Sequence, residues 1–404
     1  MQRCEGKRVV RSLSERLCSL RVFCILKGTT MRREYYVGLA ESGLGFPIGT
    51  ELVLREHPDH EKILRDGNRL GCVIAEAAWR FNTPFAMPVM DLMLEKAMIL
   101  RAMGGVAETN IPTWHFTACP TAEQVAAIRK GIAGPLPERL QANVDAVKYV
   151  AENTDLLPVG MSVGPFSLMT KLMADPITPV YLAGMGLSGA DEPDVKTVET
   201  IMELAVETIL RSFDAQARAG ARAFFIAEPA ANKVYISPKQ MAGGSDVFER
   251  MALKYLRRIK EAMDRAGVDL IFHCCGDLTP EMLKGFAQLR PAILSLGSSR
   301  TLWEDARLIP KDIVLYGNLP SKKFFSDEMI SLAEVRRMAM ESVARMRETG
   351  HPYILGTECD VLSVPGCERT LMAKAMAVVH CSSKRRPARA IPVAPERELV
   401  GAVA

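Results

Sequence analysis

The sequence has no long hydrophobic run, no C-x-x-C cysteine pair and no basic stripe interleaved with aromatic residues. A membrane-spanning helix needs about 20 consecutive apolar residues, so we expect no membrane association. Ten cysteines among 404 residues are too sparse for a small secreted disulfide scaffold. We therefore predict free thiols in a reducing, cytoplasmic setting. Without a basic and aromatic stripe, we also expect no nucleic-acid partner.

The small net charge of +4 is unevenly distributed along the chain. Residues 1–33 carry nine Lys and Arg against two Glu, and residues 384–404 are also basic, so the segment between them is acidic. Residues 1–30 lack the pattern of apolar and amphipathic segments that follows, and we predict that they form a disordered basic extension. We predict one barrel domain over residues 31–383 and a tail over residues 384–404.

A dinucleotide-binding G-x-G-x-x-G does not follow the first apolar segment. Instead, short apolar segments alternate with longer amphipathic ones, several of which end on glycine, as helices do. This alternation predicts β-α-β units and a parallel sheet. Seven or eight units over residues 40–380 predict an α/β fold, a (β/α)8 TIM barrel with an N-terminal extension and insertions. The predicted strands are 45–49, 158–163, 222–227, 269–274, 292–296, 313–317 and 352–356.

Polar and soft metal-binding side chains collect where the predicted strands end, which is one rim of a parallel barrel. The stretch DLIFHCCG (269–276) places His273 and Cys275 on one face of a strand and Cys274 on the other. Cys359, after the last predicted strand, would complete a set of three. One imidazole and two thiolates suit a tetrahedral Zn²⁺ with one position left for substrate. The alternative is a hydrogen-bonded core histidine beside cysteines that only pack.

Together with these ligands, several segments are similar to the uroporphyrinogen decarboxylase-like superfamily. HCCG matches the H-x-C-G zinc motif of its corrinoid methyltransferases, and GTECDVLSVPG resembles the later segment whose cysteine completes their site. Over about residues 45–380 the chain thus resembles the zinc-dependent corrinoid methyltransferase branch. The other similar segments are PFAMPVMDLMLEKAMILRAMGG (84–105), VGPFSLMTKLMADP (163–176), AGARAFFIAEPAAN (219–232) and LYGNLP (315–320).

The resemblance implies a methyltransferase that moves a methyl group between a cobalamin and a small methylated compound or thiol. The cobalamin would belong to a separate corrinoid protein, since the chain has no D-x-H-x-x-G cobalamin motif. We predict catalytic roles for Glu228 and Asp360, as a fourth ligand or as a partner that orients a ligand, and for Asn318, as a hydrogen-bonding group for substrate. The implied zinc ligands are His273, Cys275 and Cys359.

Two other functions stay open at the level of the sequence. The first is a tetrapyrrole decarboxylase of the uroporphyrinogen type, although the stretch PIGTELVLRE (47–56) occupies the region of the R-Q-A-G-R clamp that such enzymes use for substrate carboxylates. The second is a non-catalytic barrel that binds zinc or a corrinoid. A metal assay separates the methyltransferase from the decarboxylase, and turnover of methylcobalamin separates it from the non-catalytic barrel.

Overall fold

The computed structural model describes residues 33–382, so the predicted extension 1–30 and the tail 384–404 lie outside the described residues. The described chain forms one parallel sheet of seven strands, in which each strand pairs with the next in chain order. Helices connect the strands, as the alternation of segments predicts. The strands are β1 (Phe85–Ala86), β2 (Leu157–Val163), β3 (Ala223–Ala227), β4 (Asp269–Cys274), β5 (Ile293–Leu296), β6 (Val314–Leu319) and β7 (Tyr353–Thr357).

Six of the predicted strands are present, but the prediction of a strand at 45–49 is wrong. The first regular strand is β1, about forty residues later in the chain. Pro47 explains the difference, because proline has no N–H for a strand ladder and its ring fixes φ. Gly45 and Ile48 form only isolated parallel bridges, to Leu355 and Asp360.

The irregular segment nevertheless fills the gap between the two ends of the curled sheet. Phe46 stacks on Phe85 of β1, with ring centroids 5.4 Å apart, and meets Tyr316 of β6 at 5.1 Å. Immediately after the segment, the Thr50 hydroxyl donates to the carbonyl oxygen of Met87 at 2.6 Å. The described chain therefore has seven regular strands and this irregular segment, and the predicted eighth strand is not present as a regular strand.

The helices surround the sheet and cover one of its ends. None of the described helices combines the length and the apolar composition needed to cross a lipid bilayer. A π-helical turn, Glu249–Leu253, precedes α12, and a 3₁₀ turn, Ser321–Lys323, follows β6. The helices are α1 (Arg33–Glu41), α2 (Thr50–Arg55), α3 (His60–Ile63), α4 (Gly67–Arg80), α5 (Leu94–Met103), α6 (Ala122–Ile132), α7 (Glu138–Asn153), α8 (Pro165–Leu172), α9 (Ile177–Gly184), α10 (Pro193–Arg218), α11 (Pro238–Ala242), α12 (Lys254–Ala266), α13 (Pro280–Gln288), α14 (Leu302–Asp305), α15 (Leu332–Thr349) and α16 (Glu368–Ser382).

Two of the connecting helices end at glycines, as the sequence predicts. Gly267 after α12 has φ 66° and Gly350 after α15 has φ 61°, a left-handed conformation that glycine adopts without steric cost. α15 also begins with a cap, because the Ser331 hydroxyl accepts the backbone N–H of Glu334 at 3.1 Å. Each glycine stops its helix a few residues before the next strand, which keeps the connections short.

Alternate residues of β4 face opposite sides of the sheet. Phe272 and Cys274 pack in the hydrophobic cluster that the outer helices share, whereas Ile271 packs with Phe225 in the other cluster. His273 faces the same side as Ile271, and its ring stacks on Phe225 with centroids 5.3 Å apart. Because side chains alternate along a strand, His273 points into the barrel and Cys274 points out of it, as predicted.

The end of the barrel at which the strands begin is covered by α1. Tyr36 of this helix is fully buried, and its hydroxyl donates to the Asp269 carboxylate, at the start of β4, over 2.9 Å. Asp269 is itself buried, so the hydrogen bond satisfies a carboxylate that water does not reach. α1 therefore covers this end of the barrel. In such barrels functional sites lie at the opposite end, where the strands finish.

We expect Tyr36→Phe to lower the free energy of unfolding by about 1–3 kcal/mol, because it leaves a buried acceptor without this donor. Tyr35→Phe, next to it on α1, is the matched control and should change the free energy of unfolding little. Chemical denaturation of both variants measures the difference. Equal stability of Tyr36→Phe and the wild type would show that this hydrogen bond does not stabilise the covered end.

Candidate metal centre

The order of the strands brings four strand ends together at the open rim. β4 to β7 are consecutive neighbours in the sheet, and all run in parallel, so their carboxyl ends lie on the same edge. His273 pairs in register with Ser295 of β5, and Cys274 pairs with Leu296. Cys359 stands two residues beyond the end of β7. Residues that are far apart in the sequence therefore meet above these four strands.

Three side chains form a group that could hold a metal ion. One ligand atom from each of His273, Cys275 and Cys359 lies within 4.8 Å of the others. His273 is buried and the two cysteines are half-buried. A tetrahedral zinc site with Zn–N and Zn–S bonds of about 2.0–2.3 Å would separate such atoms by about 3.6–3.8 Å. The observed cluster is compatible with that spacing.

One nitrogen of His273 is held by a hydrogen bond and the other has no partner. Nδ1 lies 2.8 Å from the Ser295 hydroxyl, whereas Nε2 is buried and has no hydrogen-bond partner among the described residues. A proton on Nδ1, donated to Ser295, leaves the lone pair of Nε2 free for a ligand. A buried nitrogen without a partner is costly in a metal-free core, and a metal ion bound at Nε2 removes that cost. The donor set of one imidazole and two thiols fits Zn²⁺.

The two cysteine sulfurs interact directly with each other. A hydrogen bond from the Cys359 thiol lowers the pKa of Cys275, and His273 and Lys322 lower it further, against the effect of burial. The same hydrogen bond raises the pKa of Cys359, as does burial. One thiolate is therefore already favoured at this rim, and metal thiolate ligands must be deprotonated to bind. Cys274, fully buried on the other side of the sheet, has a raised pKa because of burial.

Lys322, in the turn that follows β6, is a site residue that the sequence did not single out. Its ammonium has a hydrogen-bonding interaction with Cys275, and it also lies near the charges of Glu358 and Cys359. Although burial lowers the pKa of Lys322, its neighbours Cys275, Glu358 and Cys359 raise it by more. No sequence motif marks this lysine, because the turn resembles any short polar connection until its neighbours are known.

Glu358 stands at the end of a predicted strand, but the sequence assigns it no role in the site. It is buried, and its carboxylate accepts hydrogen bonds from the Ser298 hydroxyl at 2.6 Å and the Ser298 N–H at 3.2 Å. The backbone N–H of Lys322 reaches the other carboxylate oxygen at 3.4 Å. Glu358 thus joins the loops after β5, β6 and β7 and positions Cys359, its neighbour in the chain. That adjacency is the one signal that could have pointed to it.

Glu228 is not one of the three residues of the metal-binding group, although its backbone N–H donates to the carbonyl oxygen of His273 at 2.8 Å. Its carboxylate is fully buried and accepts the backbone N–H groups of Phe166 at 3.0 Å and Ser167 at 2.6 Å, at the N-terminus of α8. Burial raises the pKa of Glu228 to about 7, although these hydrogen bonds lower it in part. Its observed contacts are those of a helix cap that joins β3 to the segment after β2.

The other two predicted catalytic residues make contacts of different kinds. The Asn318 amide nitrogen donates to the carbonyl oxygens of Gly297 at 2.8 Å and Arg300 at 2.7 Å, so it holds the loop after β5. Asp360 is buried beside Cys359, and one of its carboxylate oxygens has no hydrogen-bond partner among residues 33–382. Burial raises the pKa of Asp360 to about 8, and the charge of Glu51 raises it further.

A comparison with protein families identifies the family of the chain. The profile described as "Uroporphyrinogen decarboxylase (URO-D)" matches residues 89–380, which is more than half of the chain. The chain belongs to this family. The match confirms the family resemblance that the strand-end motifs indicate.

A solved structure has a similar fold. A methyltransferase from Methanosarcina mazei superposes with a TM-score of 0.59 at 16% sequence identity, covering 87% of this chain and 99% of that one. At this level of identity the similarity establishes the fold alone. No curated protein matches the sequence at a significant level.

Glu228 gives a prediction for the pH dependence of stability. Its pKa is raised in the folded state, so the stability it contributes is greatest below about pH 4.5 and is lost as the pH rises through about 7. Glutamine at this position cannot ionise. The free energy of unfolding of Glu228→Gln, relative to the wild type, should therefore increase between pH 5 and pH 8, by up to about 3 kcal/mol.

Denaturant titrations at several pH values measure this difference. Glu281→Gln is the matched control, because Glu281 is an exposed carboxylate in the first turn of α13 and has a lowered pKa. This control should show no such increase. A pH-independent difference between Glu228→Gln and the wild type would mean that the Glu228 carboxyl does not titrate abnormally.

Proposed function

We propose that the protein is a zinc-dependent methyltransferase that moves a methyl group between a small methylated substrate or thiol and the cobalamin of a corrinoid protein. The observation that carries the proposal is the buried, unpartnered Nε2 of His273 within 4.8 Å of two cysteine sulfurs. The family match and the methyltransferase with the same fold support a transferase of this family.

In the proposed site His273, Cys275 and Cys359 hold the ion, and one coordination position stays open for substrate. Ser295 orients the imidazole by accepting its Nδ1 proton, and Glu358 fixes the loop that carries Cys359. Bound zinc supplies one of two kinds of chemistry: it lowers the pKa of a thiol substrate, or it acts as a Lewis acid on the heteroatom that carries the methyl group.

The polar residues around the group have narrower proposed roles. We propose that Asp360, with its unpartnered carboxyl oxygen, forms a hydrogen bond with substrate next to the metal. We propose that Asn318 acts on substrate indirectly, by holding the loop after β5 in place. We propose Glu228 as a support for the rim, since both of its oxygens already accept backbone N–H groups.

We propose that the corrinoid is carried by a separate protein. This rests on the absence of a D-x-H-x-x-G motif from the sequence and on the single rim at which the candidate ligands collect. When bound, the corrinoid provides the cobalt that takes or gives the methyl group. A reducing cytoplasm suits this site, because zinc thiolates require reduced cysteines, and neither Cys275 nor Cys359 forms a disulfide.

The proposed centre predicts metal content. Purified protein should hold about one Zn²⁺ per chain, and Cys275→Ala and Cys359→Ala should each lose it, because two remaining ligands bind zinc weakly. Cys274→Ala is the matched control: its side chain faces the outer helices, so this variant should keep its zinc. Elemental analysis of gel-filtered samples measures the content. Full zinc occupancy in Cys359→Ala would contradict the ligand set.

The proposed reaction predicts a change in the cobalamin spectrum. With a candidate methyl donor, cob(I)alamin should be converted to methylcobalamin, and with a candidate thiol the reverse conversion should occur. Cys275→Ala and Cys359→Ala should be inactive, and Cys274→Ala active. Decarboxylation of uroporphyrinogen without any cobalamin turnover would instead assign the protein to tetrapyrrole decarboxylation. Stoichiometric zinc with neither reaction would favour a non-catalytic barrel.

A further inference from the structure

The segment 273–277, at the end of β4, carries two of the three candidate ligands, and the loop after β3 holds both of its ends. The backbone N–H of Glu228 donates to the carbonyl oxygen of His273 at 2.8 Å. The backbone N–H of Lys233, farther along the same loop, donates to the carbonyl oxygen of Asp277 at 3.0 Å. The segment is therefore fixed along one side before any metal binds.

The loop after β5 holds the middle of the same segment from the other side. The Gly297 N–H donates to the carbonyl oxygen of Cys274 at 3.2 Å, and the Ser299 hydroxyl donates to that of Gly276 at 3.4 Å. Gly297 is itself tied down, because its carbonyl oxygen accepts the Asn318 amide at 2.8 Å. The backbone on either side of the cysteine ligand in this segment is thus hydrogen-bonded to two different loops.

Gly297 lies too close to the backbone of Cys275 to carry a side chain. A Cβ atom at position 297 would stand 2.6 Å from the carbonyl oxygen of Cys275 and 2.9 Å from its carbonyl carbon and its Cα, whereas ordinary contacts of a Cβ atom begin at 3.4 Å. The crowded atoms belong to the main chain, which cannot rotate aside as a flexible side chain does. A side chain at position 297 would therefore displace Cys275 by several tenths of an ångström.

We propose that Gly297 is a positioning residue of the metal centre: because it has no side chain, the loop after β5 lies directly against Cys275 and fixes the place of this ligand's sulfur. The inference rests on the proposed function, since it concerns a ligand of the proposed metal. Metal–ligand distances are defined to within about 0.2 Å, so a displaced Cys275 binds the ion poorly while His273 and Cys359 still bind it. Gly297 touches neither the metal nor substrate, and its whole effect passes through Cys275.

Gly297→Ala tests this inference on the full chain titrated with Co²⁺, whose thiolate-to-metal absorption increases with the number of thiolates bound. The variant should bind Co²⁺ about 10- to 100-fold more weakly than the wild type, as is usual when a residue that orients a metal ligand is changed. Its absorption per bound ion should fall toward that of a single thiolate. Circular dichroism shows whether the variant is folded.

Gly131→Ala is the matched control, because it crowds a main chain in the same way at a place without metal ligands. A Cβ atom at position 131 would stand 2.8 Å from the Cα of Ala102, between α6 and α5, and neither helix carries a residue of the metal-binding group. This variant should lose stability but keep the Co²⁺ affinity and the absorption of the wild type.

Asn318→Ala decides the question if Gly297→Ala does not fold, because it releases the Gly297 carbonyl oxygen without adding an atom near Cys275. It should weaken Co²⁺ binding about tenfold. Wild-type affinity and absorption in folded Gly297→Ala, or in Asn318→Ala if the former is unfolded, would overturn the inference while the metal centre stands. So would an equal loss of affinity in Gly131→Ala. A wild-type protein that binds neither Co²⁺ nor Zn²⁺ would overturn the proposed function together with this inference.

Discussion

The hydrogen bond between His273 and Ser295 fixes the chemistry of the whole rim. Nδ1 lies 2.8 Å from the Ser295 hydroxyl, and with the proton on Nδ1 the buried Nε2 has its lone pair available near the two cysteine sulfurs. The bond depends on the in-register pairing of β4 with β5, which places Ser295 opposite His273. A shift of one residue would turn His273 toward the outer helices and remove the centre.

A second set of contacts brings the remote cysteine to this imidazole. Cys359 lies on a loop, and loops hold a side chain in place only when their own backbone is tied down. Here Glu358 reaches the loop after β5, and Ser321 reaches the carbonyl oxygen of Cys359. The Lys374 ammonium, from α16, donates to the carbonyl oxygen of Phe324, just after the turn that carries Ser321. Buried charged groups at this rim therefore hold the loop backbones in place.

The two ends of the barrel use polar groups differently. At the closed end the buried Asp269 is satisfied by Tyr36, and the contact serves stability. At the open end His273 and Asp360 each keep a buried atom without a partner. Buried atoms without a partner also occur elsewhere among the described residues, such as Nδ1 of His351 just before β7. It is the grouping of the His273 nitrogen with two cysteine sulfurs that indicates a site that a ligand completes. Glu228 shows the limit of that argument, because its raised pKa comes from burial in a structural cap.

The sequence by itself determined the α/β class, six of the strands, the glycine helix ends and the opposite orientation of His273 and Cys274. Each of these follows from local periodicity or from the conformational freedom of one residue. It did not determine β1, or that the segment containing Pro47 would stay irregular, because that segment is placed by the gap between the two ends of the sheet. Only the tertiary structure decided the roles of Glu358 and Lys322, and the cap formed by Glu228. These depend on contacts between loops that are distant in the chain, which no local pattern encodes.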